Sequence, residues 1–226
     1  MVENEDYRTA VFGKTERTVG WEGDGVSHLF TLDCNVYVES QRAGLRVMES
    51  IKQFLGKRLR LKINEAKSAV AKVSERQFLG FRILLDGKIG LSPKSLVRVK
   101  QTIRRLTKRN RGVSLAMVIA DLAIKLGGWI NYYKLIETPS KLKSLDNWIR
   151  RRLRCYRLKQ RKRSYPIAKF LMQLGVSAEY AWCIGASGKG WWRLSHTSAV
   201  DSAMSKAWFE SQGLINLERQ ANLVKV

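Results

Sequence analysis

The residues able to carry chemistry in this chain are few, and most of them fail the geometry that catalysis needs. His28 and His196 are the two histidines, and neither stands in a metal-ligand or triad-like context. Cys34, Cys155 and Cys183 are odd in number and widely spaced, without a Cys-x-x-Cys pair, which argues against a disulfide framework and against a structural zinc site. The segment Ser187-Gly188-Lys189-Gly190-Trp191-Trp192-Arg193 invites a phosphate-loop reading, because clustered glycines expose backbone N–H groups. It lacks the four-residue spacing between glycines and the Ser/Thr after lysine that a nucleotide-binding loop requires. Two readings stay open for it: a basic turn with aromatic flanks gripping a nucleic-acid backbone, or a turn whose tryptophans fill a core. The acids are scattered, with no paired carboxylates at catalytic spacing.

What remains is positive charge. The 226 residues hold 42 Lys+Arg against 19 Asp+Glu, a formal charge of +23. A domain with so much unbalanced charge repels itself until it meets a polyanion, so nucleic acid is the leading partner class. Residues 88–163 alone hold 22 basic residues against Asp121, Glu137 and Asp146, whereas residues 1–30 are net acidic. Two stretches concentrate the charge. One carries Lys94, Arg98, Lys100, Arg104, Arg105, Lys108, Arg109 and Arg111. The other carries Arg150, Arg151, Arg152, Arg154, Arg157, Lys159, Arg161, Lys162 and Arg163. Solvated faces usually mix signs, and these do not, which favours phosphate binding. Positions 150, 154, 157 and 161 share one helical face, and Lys189 and Arg193 extend the basic set. Arginine suits RNA, because its planar fork pairs phosphate oxygens and stacks on exposed bases.

The elements that position these residues follow from periodicity. Residues 1–28, rich in glycine and short polar residues, predict a flexible, loop-like segment. Val36, Tyr37 and Val38 predict a strand, and Val47, Ile51, Phe54 and Leu55 predict a helix over 41–59. Phe78 to Leu85 meets Ile89 and Leu91 across Asp86-Gly87, a hairpin signal. Ser92-Pro93 opens a helix with Leu96, Val99, Ile103 and Leu106 on one face. Ser114 opens a second, with Leu115, Val118, Leu122, Trp129 and Tyr133 inward. Thr138-Pro139 opens a third, with Leu142, Leu145, Ile149, Leu153 and Tyr156. Shorter helices are predicted over 166–173, 177–186 and 198–212, the last closed by Gly213. The fold class is α+β, mostly α: a small piece of strands, one helix and a β-hairpin (29–91), basic helices (92–163) and a helical extension (164–226). No run of 18 apolar residues is present and the acidic start is unlike a signal peptide, so a cytoplasmic protein without membrane partners is expected.

Over about residues 30–220 the chain resembles the group II intron-encoded reverse transcriptases, or maturases. The resemblance is densest in IRRLTKRNRGVSLAMVIADLAIKLGGWINYY, LDNWIRRRLRCYRLKQRKR and GASGKGWWRLSHT. INEAKSAVA and RQFLGFRI look like the last elements of such a polymerase palm, which implies a place near the active site for Lys67 and a primer-grip-like segment around Phe78, Leu79 and Gly80. The helices from Ser92 to Arg163 then resemble the thumb and maturase-specific region, which in the family binds intron RNA and helps it splice. The family's catalytic Tyr-Ala-Asp-Asp stands where this chain reads Phe30-Thr31-Leu32-Asp33, so Asp33 is left as a vestigial catalytic acid and as half of an incomplete Mg²⁺ site.

The expectation is an RNA-binding fragment with structured group II intron RNA as partner, needing no cofactor for binding and no polymerase by itself. The alternatives are a reverse transcriptase, with Mg²⁺, completed in trans by a separate fingers-and-palm polypeptide, or a decayed fragment that binds any polyanion; a DNA target is a further candidate partner.

Overall fold

The computed structural model describes residues 9–19, 28–65 and 68–223. The chain divides into two compact units, Met1–Ser92 and Pro93–Val226. Among the described residues the architecture is α+β and mostly helical.

In the first unit, β1 (Thr9–Val19) is the central strand of an antiparallel sheet. It pairs along its length with β2 (His28–Val38), Gly13 opposite Cys34, and on its other side with β3 (Lys62–Ile63) and β4 (Ala69–Lys72). The loop expected over residues 1–28 is therefore corrected for Thr9–Val19. The strand takes its order from long-range pairing, which local composition does not report. Between β2 and β3 lies α1 (Gln41–Lys57), begun by Ser40, whose side chain accepts from the Ala43 N–H at 3.2 Å. Its buried residues Gly44, Met48 and Leu55 fall at helical spacing on one face. β5 (Phe81–Ile83) and β6 (Ile89–Leu91) form the hairpin, with Gly87 at φ 78° in its turn and the Asp86 carboxylate accepting from the Lys88 N–H at 3.2 Å.

The second unit is all helix among its described residues. It contains α2 (Pro93–Leu106), α3 (Leu115–Tyr132), α4 (Pro139–Arg161), α5 (Ser164–Gln173), α6 (Ala178–Gly185), α7 (Trp191–Leu194), α8 (Ser198–Ala203), α9 (Lys206–Ser211) and α10 (Leu217–Leu223). One continuous core joins them, running from Val99 and Ile103 of α2 through Leu122, Leu126, Ile149 and Leu153 to Phe209, Leu217 and Ala221. Residues 164–223 close this core, so they are structurally part of the same body as the basic helices. The helix expected over 198–212 is broken: Ser205 starts α9 afresh, its Oγ accepting from the Trp208 N–H at 3.3 Å.

By length and composition α3 is the one helix among the described residues that could cross a membrane. Six of its residues, Leu115, Val118, Ile119, Leu122, Leu126 and Ile130, are buried in the core instead.

Candidate nucleic-acid interface

α4 carries nine of the basic residues, and its twenty-three-residue length places them on every side. Like charges in that density need partners, and few carboxylates are near. Aromatic rings take that place. The Arg151 guanidinium lies 4.1 Å from the centre of the Trp192 ring, and its Nη2 donates to the Trp192 carbonyl at 3.2 Å. Arg157 and Arg161 lie 4.9 Å and 4.6 Å from the centre of Phe170. Trp148 has Arg152 at 5.2 Å, Arg104 at 5.7 Å and Lys100 at 5.9 Å. Each such contact contributes roughly 0.5–2 kcal/mol, more as the cation is desolvated.

Two i, i+4 ladders meet at one place. Lys100, Arg104 and Lys108 run down α2 into the turn that follows it; Trp148 and Arg152 face them from α4. Arg104, Lys108, Trp148 and Arg152, together with Thr107, Arg109, Cys155 and Trp192 of α7, line an open cleft of about 440 Å³. No carboxylate lines it. Arg152 is fixed at its floor. Its Nε donates to Thr107 Oγ1 at 2.6 Å, and Thr107 in turn donates to the Ile103 carbonyl at 2.6 Å. Burial, then the nearby Arg104 and Arg109 charges, hold the Arg152 pKa below the usual guanidinium value. The Arg109 Nη1 donates to Cys155 Sγ at 3.8 Å, and burial pushes that thiol's pKa up, which leaves it protonated and inert.

A second hollow, about 540 Å³, lies on the other side of Trp148 and is lined among others by Arg150, Arg151, His196 and Lys206. Arg154 also lines it but is buried. It is 5% exposed, its Nε donates to the Met204 carbonyl at 3.0 Å, and its Nη1 is ion-paired with Asp201. The surface role expected for Arg154 is thus corrected, because α8 and Met204 at its end pack over that part of α4.

The other expected residues are dispersed. Lys94, Arg98 and Arg105 are exposed along α2, with Arg98 bordering an apolar hollow between α2 and α3. Arg111 is not free for a ligand: its Nη1 donates to the Leu106 carbonyl at 2.7 Å and its Nη2 pairs with Asp121 at 3.0 Å. Arg157 and Arg161 are half-buried against Phe170, whereas Lys162, Lys189 and Arg193 are exposed. In the Gly-Lys-Gly segment the two tryptophans separate in role. Trp191 packs against the core, while Trp192, 40% exposed, forms a wall of the cleft.

Asp33 lies on β2 opposite Lys14 of β1, and Lys67 falls outside the described residues. Among the described residues no group of three His, Cys, Asp or Glu could hold a metal ion. Sequence reasoning missed Trp148 and Arg152 as a pair, although their i, i+4 spacing beside the α4 stripe was a usable signal.

Residues 96–175 match the family model described as the group II intron, maturase-specific domain. That span runs from α2 through α5 and includes every lining residue of the cleft except Trp192. No curated protein matches the chain.

Proposed function

We propose that the helical unit, whose residues 96–175 are a group II intron maturase-specific region, binds structured group II intron RNA and assists its splicing, without polymerase chemistry of its own. The observation that carries this reading is the cleft between α2, α4 and α7, where Arg104, Lys108, Arg109 and Arg152 converge without a carboxylate. Cations held together without acids favour a polyanion, since each neutralised phosphate releases counterions. Rings and backbone carbonyls hold several of the guanidiniums in place, which lowers the ordering cost of binding.

The test is a competition titration. Purified protein is added to labelled group II intron RNA at two salt concentrations, with an excess of unrelated structured RNA. Binding that persists under competition and falls steeply with salt is the expected outcome. Full displacement by the unrelated RNA would reduce the protein to a general polycation and refute the assignment for the intron tested.

A further inference from the structure

The cleft has a shape and lining that phosphate binding alone does not require. Contact with a duplex backbone needs cations on an accessible ridge. Here Thr107 and Cys155 are buried and Trp148 and Arg152 half-buried, whereas Arg104, Lys108 and Arg109 of the same cleft are exposed. A volume of about 440 Å³ is in the range of small-molecule sites. Such a combination of indole rings and surrounding cations is what an unpaired nucleotide meets when its base stacks and its phosphate is neutralised.

Trp192 is held ready for stacking. The Arg151 guanidinium sits against its ring at 4.1 Å, and its carbonyl accepts from Arg151 Nη2 at 3.2 Å and from Ser195 Oγ at 2.8 Å. The ring is still 40% exposed. Two of the lining cations lack a carboxylate partner: among the described residues neither the Arg104 guanidinium, 5.7 Å from the centre of the Trp148 ring, nor the Lys108 ammonium makes an ion pair. Arg152, in contrast, is anchored by Thr107 and by the Arg104 carbonyl, which its Nη2 approaches at 3.4 Å.

We propose that this cleft receives a single unpaired nucleotide of the bound RNA, its base stacked on Trp192 and its phosphate on Arg104, Lys108 and Arg109. The assignment rests on the RNA-binding reading above and narrows it to one subsite. It makes the helical unit a reader of bulged or looped-out nucleotides as well as of backbone charge.

The probes are a short RNA duplex and the same duplex carrying one bulged 2-aminopurine, each titrated with the full chain at low salt. The bulged RNA is expected to bind more tightly by roughly 5- to 150-fold, the range that one base–aromatic stack supplies. The 2-aminopurine fluorescence is expected to be quenched on binding. In Trp192→Leu the affinity ratio of bulged to paired RNA falls to about one, whereas Trp192→Phe, which keeps a ring, retains most of it. Circular dichroism and thermal unfolding of both variants check that the helical unit remains folded. Equal affinities with unquenched fluorescence overturn the subsite and leave duplex binding standing. If neither RNA binds, the RNA-binding reading itself falls, and the subsite with it.

Discussion

Arg154 of α4 is ion-paired with Asp201 of α8, and the pair lies where the chain folds back over its most basic helix. Asp201 is half-exposed, while the arginine side chain is almost wholly enclosed. A buried guanidinium is tolerated only while its hydrogen bonds are met, here by Asp201 and the Met204 carbonyl at 3.0 Å. Replacing Arg154 by Gln is expected to cost about 2 kcal/mol in urea unfolding, because it leaves the Met204 carbonyl and Asp201 without their partner. Arg150→Gln, at a half-buried position that makes no ion pair among the described residues, is expected to change stability by under about 1 kcal/mol. Similar losses for both variants would contradict the enclosed ion pair.

The cleft cations give a prediction about binding rather than folding. In the triple variant Arg104→Gln, Lys108→Gln, Arg109→Gln, the dependence of log K on log salt for intron RNA is expected to flatten by roughly 0.7–0.9 per phosphate contact removed. All three residues are exposed, so the cost in stability is expected to stay near the roughly 0.5–2 kcal/mol of the lost Arg104–Trp148 contact. An unchanged slope would place the phosphate contacts elsewhere on the helical unit.

Asp146 offers a pH-dependent test. Its carboxylate, 5% exposed, accepts from the Leu217 N–H at 3.3 Å and the Glu218 N–H at 3.2 Å, at the start of α10. Burial outweighs those two donors and pushes its pKa up from 3.8 to about 6. The folded chain then holds this proton more tightly than the unfolded chain. The stability it contributes is fully present below the unfolded value and is lost as pH rises through about 6. Over that window the loss is at most on the order of 3 kcal/mol. Asp146→Asn is expected to abolish this segment of the stability–pH curve, as measured by urea unfolding at a series of pH values. A wild-type curve that rises through the same window would contradict the burial assigned to Asp146.

Gly185 marks the close crossing of α5 and α6. A Cβ at this position would lie 2.6 Å from the Ser164 carbonyl oxygen, a backbone atom that cannot swing aside. Gly185→Ala is expected to destabilise by about 1–3 kcal/mol through this overlap. Gly188→Ala meets open space and is expected to leave unfolding nearly unchanged. Equal melting temperatures for the two variants would contradict the close approach of Gly185 to Ser164.

The helices of the second unit were legible wherever one apolar stripe met a clear start signal, as in the Ser92-Pro93, Ser114 and Thr138-Pro139 openings. Leu115, Val118 and Leu122 face inward as their spacing implied, and the basic stretches do lie on α2 and α4. Other features depended on partners that spacing along the chain does not reveal. Thr9–Val19 becomes a strand through its pairing with β2, β3 and β4. The break before α9 was hidden because Met204 continues the apolar period into the residue that caps the next helix. Helical periodicity put Arg154 beside Arg150 and Arg157, but whether that strip stays open is decided by α8 and Met204 at its end, some fifty residues later. The same limit kept Trp148 and Arg152 from being seen as a cleft, since the face they form gains meaning only when α2 lies opposite.

The Asp146 clasp on α10 also sets an order of events during synthesis. The carboxylate and the backbone N–H groups it accepts from are 71 and 72 residues apart. At about 5–20 residues per second, α4 waits several seconds on the ribosome before the segment that closes over it is made. Until then Leu145, Ile149 and Leu153 lack part of their cover, and the arginines of the same helix are the strongest feature a nearby polyanion would meet. The nascent chain would therefore present the charge of α4 before α10 completes the core around Asp146.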